Sequence, residues 1–242
     1  MRCVHGVLAP LVGVVLIALP SWAFVPLQGP AVLSSRPHHA NAFCAASTRV
    51  PRGSSLLRMQ SAVAVDTIEQ AQAIILSAAE SRDQDPDDVI EAIRLIEKSG
   101  GSKKPMEGEG PQPKFDLLTT DGNWQLIFTT GDVKTQKKLG GKLTYVPIKA
   151  VQVFNPDLTI TNGVYLGSFP LLKFTGTFTW AEEKARLEFT FDQIGVLGLT
   201  FPYKQGESKV QPGFTFMDIS DRYVIARGAG GGLALWLRQD TI

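Results

Sequence analysis

The spacing of apolar side chains changes once along this chain, and that change limits its fold more than any single motif. Between residues 66 and 98 the apolar positions recur at helical intervals: Ile68, Ala71, Ile75 and Ala78, then Val89, Ile93 and Ile96. Beyond residue 113 the interval is two. Trp124, Leu126 and Phe128 alternate with Gln125, Ile127 and Thr129, and Phe174, Phe178 and Trp180 alternate with Lys173, Thr175, Thr177 and Thr179. Leu187, Phe189 and Phe191 continue the pattern, as do Tyr223 and Ile225 and, after a glycine-rich turn, Leu233, Leu235 and Leu237. Further strands are expected near Leu143–Phe154, Leu158–Leu166 and Phe214–Asp218, separated by turn signals such as Asn155-Pro156-Asp157 and Pro212-Gly213. About eight short strands with no helix between them predict an antiparallel meander, which hides its edges most simply by closing into a barrel. A barrel of that size is just wide enough to hold one small ligand.

The helical stretch carries its own boundaries. Asp66 with Glu69 reads as a capping box. Asp85 reads as the cap of a second helix, with Pro86 at its first position and Asp87 and Asp88 at the positive end of its dipole. Gly100 and Gly101 stop it, and almost nothing apolar follows until Pro113. The expected organisation is a helical pair over 61–101, a linker over 102–113 and a β-barrel over 114–242, with the helices and the barrel forming one domain.

No Asp or Glu occurs in the first 65 residues, although the chain contains 23. Residues 1–23 read as a secretory signal: Arg2, an apolar run from Val7 to Leu19, then Pro20-Ser21-Trp22-Ala23. Residues 24–60 are acid-free, aperiodic and contain Arg and Ser, as transit peptides do. The Ala23-Phe24-Val25-Pro26 junction resembles the Phe-headed cleavage site of bipartite plastid presequences in algae with secondary plastids. Removing these segments takes five of the 24 basic residues, leaving 19 against 23 acidic ones, a net charge of about −4. That balance argues against nucleic-acid binding. It also takes both cysteines and all three histidines. Catalysis by Ser-His-Asp or Cys-His, thiol redox chemistry and most zinc sites then lack their side chains.

Few motifs remain. Gly122-Asn123-Trp124 opens the first strand and Arg227 sits on a late one, which leaves two expectations: the Arg227 guanidinium over the Trp124 ring at a closed barrel end, or a core Trp124 with an unrelated surface Arg227. Gly228–Gly232 has no following Lys-Ser/Thr and reads as a β-turn rather than a phosphate loop. Lys134, Lys137, Lys138 and Lys142 suggest a solvated loop or, failing that, a contact for anionic headgroups. The charge-free run from Ile194 to Tyr203 is expected to be a buried strand, with the apolar rim of a barrel mouth as the alternative. Glu188, Asp192 and Asp218 are acid–base candidates, and a solvated face is the plainer expectation for them.

The segment Asp121-Gly122-Asn123-Trp124-Gln125-Leu126-Ile127-Phe128-Thr129-Thr130 resembles the Gly-x-Trp strand of the plastid lipid-associated proteins, or fibrillins. Phe216 to Gly228, followed by Gly232 to Arg238, resembles that family's closing signature, with Arg227 and Gly228 retained and Val224 where the family has an arginine. Glu91 to Glu97 resembles the helix that precedes its barrel. The resemblance implies a lipocalin-like barrel in the plastid that binds or presents an apolar lipid at thylakoids or plastoglobules, without catalysis, metal or cofactor. Gly122, Trp124, Arg227 and Gly228 are its structural signature. The expected ligand-lining residues of the barrel interior are Trp124, Phe128, Phe174, Phe178, Phe189 and Phe191. The alternative expectation is an accessory protein for a plastid isoprenoid or quinone biosynthetic enzyme. A barrel enzyme using Asp192 or Tyr203 is a distant third.

Overall fold

The computed structural model describes residues 65–101, 112–132, 136–137, 141, 144–206 and 210–242. The residues read as signal and transit segments, and most of the lysine-bearing loop, lie outside the described residues. Helix α1 spans Ile68–Ser81. Its cap is Thr67, whose hydroxyl accepts from the Gln70 N–H, one residue later than the Asp66–Glu69 box expected from sequence. Gln70 decides the shift, because its Oε1 accepts from the N–H groups of both Asp66 and Thr67, at 3.1 and 3.3 Å. Helix α2 spans Pro86–Lys98, with the Asp85 carboxylate accepting from the Asp87 N–H. Ala71, Ile75 and Ala78 of α1 and Val89, Ile93 and Ile96 of α2 are buried against one another and the barrel.

A third helix, α3 over Pro113–Thr119, was not anticipated from the sequence. It is too short to show an apolar period, and its N-terminal turn is held from outside. The Glu182 carboxylate accepts from the backbone N–H groups of Lys114 and Phe115 at 3.1 and 3.2 Å.

The strands are β1 Asn123–Thr129, β2 Lys149–Phe154, β3 Thr159–Leu166, β4 Phe169–Ala181, β5 Arg186–Val196, β6 Leu199–Pro202, β7 Gly213–Ile219, β8 Tyr223–Gly228 and β9 Leu233–Arg238. Hydrogen-bonded neighbours run β4-β3-β2-β1-β9-β8-β7-β5, and β4 pairs with β5 to complete an eight-stranded ring. The protein is therefore mainly β, built on a closed antiparallel barrel. β6 stands outside the ring as a hairpin on the far half of β5, whose near half pairs with β7.

Two apolar cores lie back to back. Inward side chains of all eight ring strands make up the first. The second lies between the helix pair and the outer face of the barrel, and contains Met217, Tyr223, Ile225, Leu233 and Leu235. Strands β7, β8 and β9 are therefore apolar on both faces, which explains why Val224, Ile225 and Ala226 are consecutive and all buried. Gly122 marks a close approach at the start of β1: a Cβ there would lie 2.3 Å from the Phe154 carbonyl oxygen.

Candidate functional site

One row of inward positions crosses the barrel wall. Its register runs from Arg238 on β9 to Trp124, Gln152, Asn162, Phe174 and Ile194 on β1 to β5. Trp124 is fully buried, and its indole N–H donates to the Leu118 carbonyl at 2.8 Å, so α3 plugs this end of the barrel. The Arg238 guanidinium lies 4.3 Å from the Trp124 ring centroid. It also donates to the carbonyls of Leu117, Thr120 and Asp221. Burial pushes its pKa down, while Asp121 and Asp221 push it up.

Arg227 does not touch this ring, contrary to the first of the two sequence expectations. Its side chain points outward from β8 and donates twice to the Glu97 carboxylate of α2, at 2.7 and 2.6 Å. Arg227 shares the parity of Tyr223 and Ile225 on β8, the face covered by the helices. The pair is mutually reinforcing. Hydrogen bonding to Arg227 holds the Glu97 carboxyl below its ordinary range, and Glu97 holds the Arg227 guanidinium above its own. Arg227 also donates to the Gly231 carbonyl at 2.8 Å, so this side chain organises the Gly228–Gly232 turn.

Of the six aromatic residues expected inside, Trp124, Phe174, Phe178, Phe189 and Phe191 belong to the interior core and Phe128 does not. The β1–β9 register slips between Leu126 and Phe128. That bulge turns Phe128 outward, where it meets Tyr145 edge-on at 5.3 Å beneath the helix pair. The remaining rings form a continuous chain. Tyr203 contacts Phe174, which contacts Phe191, then Phe189, Phe214, Phe216, Phe154 and Phe178, with centroid separations between 5.0 and 6.1 Å. Phe178 and Phe189 are thus structural core.

The acid–base candidates do not converge. Asp218 faces the helices and accepts from Gln72 and from the Tyr223 hydroxyl at 3.3 and 2.9 Å. Glu188 pairs with Arg186 on the same strand. Asp192 is exposed, and Tyr203, its phenol raised by burial, packs on Phe174.

The end of the barrel opposite α3 is apolar and partly exposed. Ile148, Leu172, Ile194 and Tyr203 are half-buried there on the rim of the interior core. Around them the β3–β4 and β5–β6 hairpins project side by side, joined by the Leu197 N–H donating to the Leu171 carbonyl. Their tips expose Leu166 (71 %), Phe169 (50 %), Leu197 (47 %), Leu199 (66 %) and Phe201 (49 %). The run from Ile194 to Tyr203 is thus a rim rather than the expected buried strand, because β6 has a ring neighbour on neither its outer edge nor its faces. Sequence reading also passed over Gln152. Its parity with Ala150 and Phe154, both inward, marks it as a polar residue in an apolar frame.

The chain matches no family model and none of the curated proteins with which it was compared.

Proposed function

We propose that this protein is a non-enzymatic plastid lipid-associated protein, a lipocalin-like barrel of the fibrillin type. It docks on a thylakoid or plastoglobule surface and holds or presents an apolar lipid there. The observation that carries this reading is the apolar rim. Five large side chains, each about half exposed or more, crowd two adjacent hairpins beside an apolar mouth. Moving them into an acyl layer is favourable by roughly 25 cal/mol per Å2 of apolar surface. Residues 158–181 and 193–206 contain no Asp or Glu, and Lys173 and Lys204 are their only charges. A surface apolar at its tips and cationic behind them suits an anionic lipid interface.

Vesicle flotation tests the reading. The purified protein should float with vesicles of neutral galactolipid containing an anionic lipid, and the double variant Leu199→Ser, Phe201→Ser should stay at the bottom while keeping its melting temperature. Equal flotation of both proteins, or of neither, rejects it.

A second reading, an accessory subunit of a lipid-biosynthetic enzyme, draws on the outer face of α2. There Ile90, Glu91, Arg94, Leu95 and Lys98 border a cleft of about 380 Å3. Recovery of one stoichiometric enzyme partner, lost on Arg94→Glu, favours it.

A further inference from the structure

We infer that the barrel interior is a binding site for a neutral apolar molecule bearing a carbonyl or hydroxyl group, and that the Gln152 amide is the group that recognises it. Gln152 is 2 % exposed, and neither its Nε2 nor its Oε1 has a hydrogen-bond partner among the described residues. Buried polar groups in folded proteins are paired almost without exception, so an amide with both donor and acceptor unmet needs a reason. Packing supplies none, since an apolar side chain of similar volume fills the same space without desolvating an amide.

The neighbours do not complete it. Ala150 and Phe154, two residues away on β2, share its inward face and belong to the interior core. Across the row Gln152 stands between Trp124 on β1 and Asn162 on β3, and Asn162 in turn faces Phe174 on β4. The Trp124 N–H is already given to Leu118, and Arg238 is held by three backbone carbonyls. Neither can turn to Gln152. The row therefore presents two amides, Gln152 and the buried Asn162, flanked by two aromatic faces.

This arrangement selects a ligand class. A primary amide offers two N–H donors and one carbonyl acceptor and no charge. The surrounding core is apolar and Arg238 is already held by three backbone carbonyls, so an ionised carboxylate or ammonium head would find no free counter-charge. A ketone, quinone, ester or alcohol on an apolar body meets both conditions. Entry lies through the rim end, where Phe174 and Tyr203 touch at 5.3 Å and must part.

This deepens the lipid-binding reading and rests on it for the apolar character of the ligand, not for docking. The test uses the solvatochromic ketone 6-propionyl-2-(dimethylamino)naphthalene, whose emission moves to longer wavelength when its carbonyl accepts a hydrogen bond. The purified protein should bind it saturably. Gln152→Met should weaken binding about tenfold, the usual worth of one neutral hydrogen bond, and shift the bound emission to shorter wavelength. The melting temperature of the ligand-free variant should be equal or higher. Decanol should displace the dye and decanoate at pH 8 should not. Gln152→Met should still float with vesicles and the rim variant Leu199→Ser, Phe201→Ser should not, so failure of docking and failure of this site are separable. The inference is overturned by absence of saturable binding, by unchanged affinity and emission in Gln152→Met, or by a Gln152→Met protein that melts lower, which would show the amide to be structural.

Discussion

The Arg238 guanidinium covers the Trp124 ring at 4.3 Å while its N–H groups hold three carbonyls of the α3 region and the β7–β8 turn. This one side chain therefore joins the last strand, the first strand and the helical plug. Trp124→Ala should cost about 3–5 kcal/mol, as other large buried aromatic truncations do. Arg238→Ala should cost less, and the double variant should fall short of the sum, because part of each loss is the shared stacking contact. Additive losses in chemical denaturation would deny that coupling. The pair Trp124→Ala and Arg227→Ala should be close to additive, since those two residues make no contact.

Truncating the interior rings should damage the fold before it damages binding. Phe178 meets Phe154 edge-on at 6.0 Å and Phe115 at 6.4 Å, and is almost wholly buried. Phe178→Ala should lower stability by about 3–5 kcal/mol. Phe189→Ala should behave alike. Circular dichroism melts resolve this. A Phe178→Ala protein melting within a degree or two of wild type would mean that the ring lines free space.

The Arg227–Glu97 pair should make the helix pair acid-sensitive. Glu97 has a folded pKa below its ordinary value near 4.5, so its contribution is complete above that value and is lost as pH falls through the folded one. The pair is about one-third exposed, which limits it to about 1 kcal/mol even with two hydrogen bonds. The hydrogen-exchange protection factor at the C-terminal turn of α2 should fall as pH drops below about 4.5, and Glu97→Gln should flatten that dependence. A pH-independent protection factor in the wild type would remove the pair from any role in docking α2.

Alongside the phenols of Tyr165, Tyr203 and Tyr223, all raised by burial, Tyr145 should contribute to alkaline sensitivity. Its hydroxyl donates to the Gln84 carbonyl at 2.9 Å, and burial, with Asp83 nearby, pushes its pKa up to about 12. A raised phenol stabilises the fold below the unfolded value near 10, and that support disappears as pH climbs from about 10 through about 12. Tyr145→Phe should be less stable at pH 8 and should lose less on the way to pH 12. Parallel denaturation curves at the two pH values, identical for both proteins, would contradict the assignment.

The barrel was legible because alternation is a strong signal when one face is buried, as in Leu187, Phe189 and Phe191, all of which point inward. Where the alternation slips, the sequence misleads. The bulge after Leu126 moves Phe128 to the other face, and nothing in Leu126-Ile127-Phe128 announces it. Arg227 was misplaced for a related reason: which of two late arginines reaches Trp124 depends on register across β8 and β9, a long-range property. The role of Gln152 was readable in principle, from parity alone. Its unmet hydrogen bonds were not, because they depend on where Trp124 and Arg238 spend theirs. Helix α3 is stabilised by Glu182, almost seventy residues away, and no local pattern reports such a partner.

Every neighbouring pair in the ring is consecutive along the chain, the β6 detour aside, except β1 with β9. Those hairpins can form by short-range search, but the β1–β9 seam must join segments roughly a hundred residues apart. Until that seam closes, β1 and β9 are bare edges capable of pairing with another chain. The helix pair packs on β7 to β9 on one side of the seam and covers Phe128 of β1 on the other, so α1 and α2 have no complete platform until the ring is shut. Docking of the helices thus acts as a latch on the slowest step of folding, and a loosened latch would show itself first as self-association through those edges.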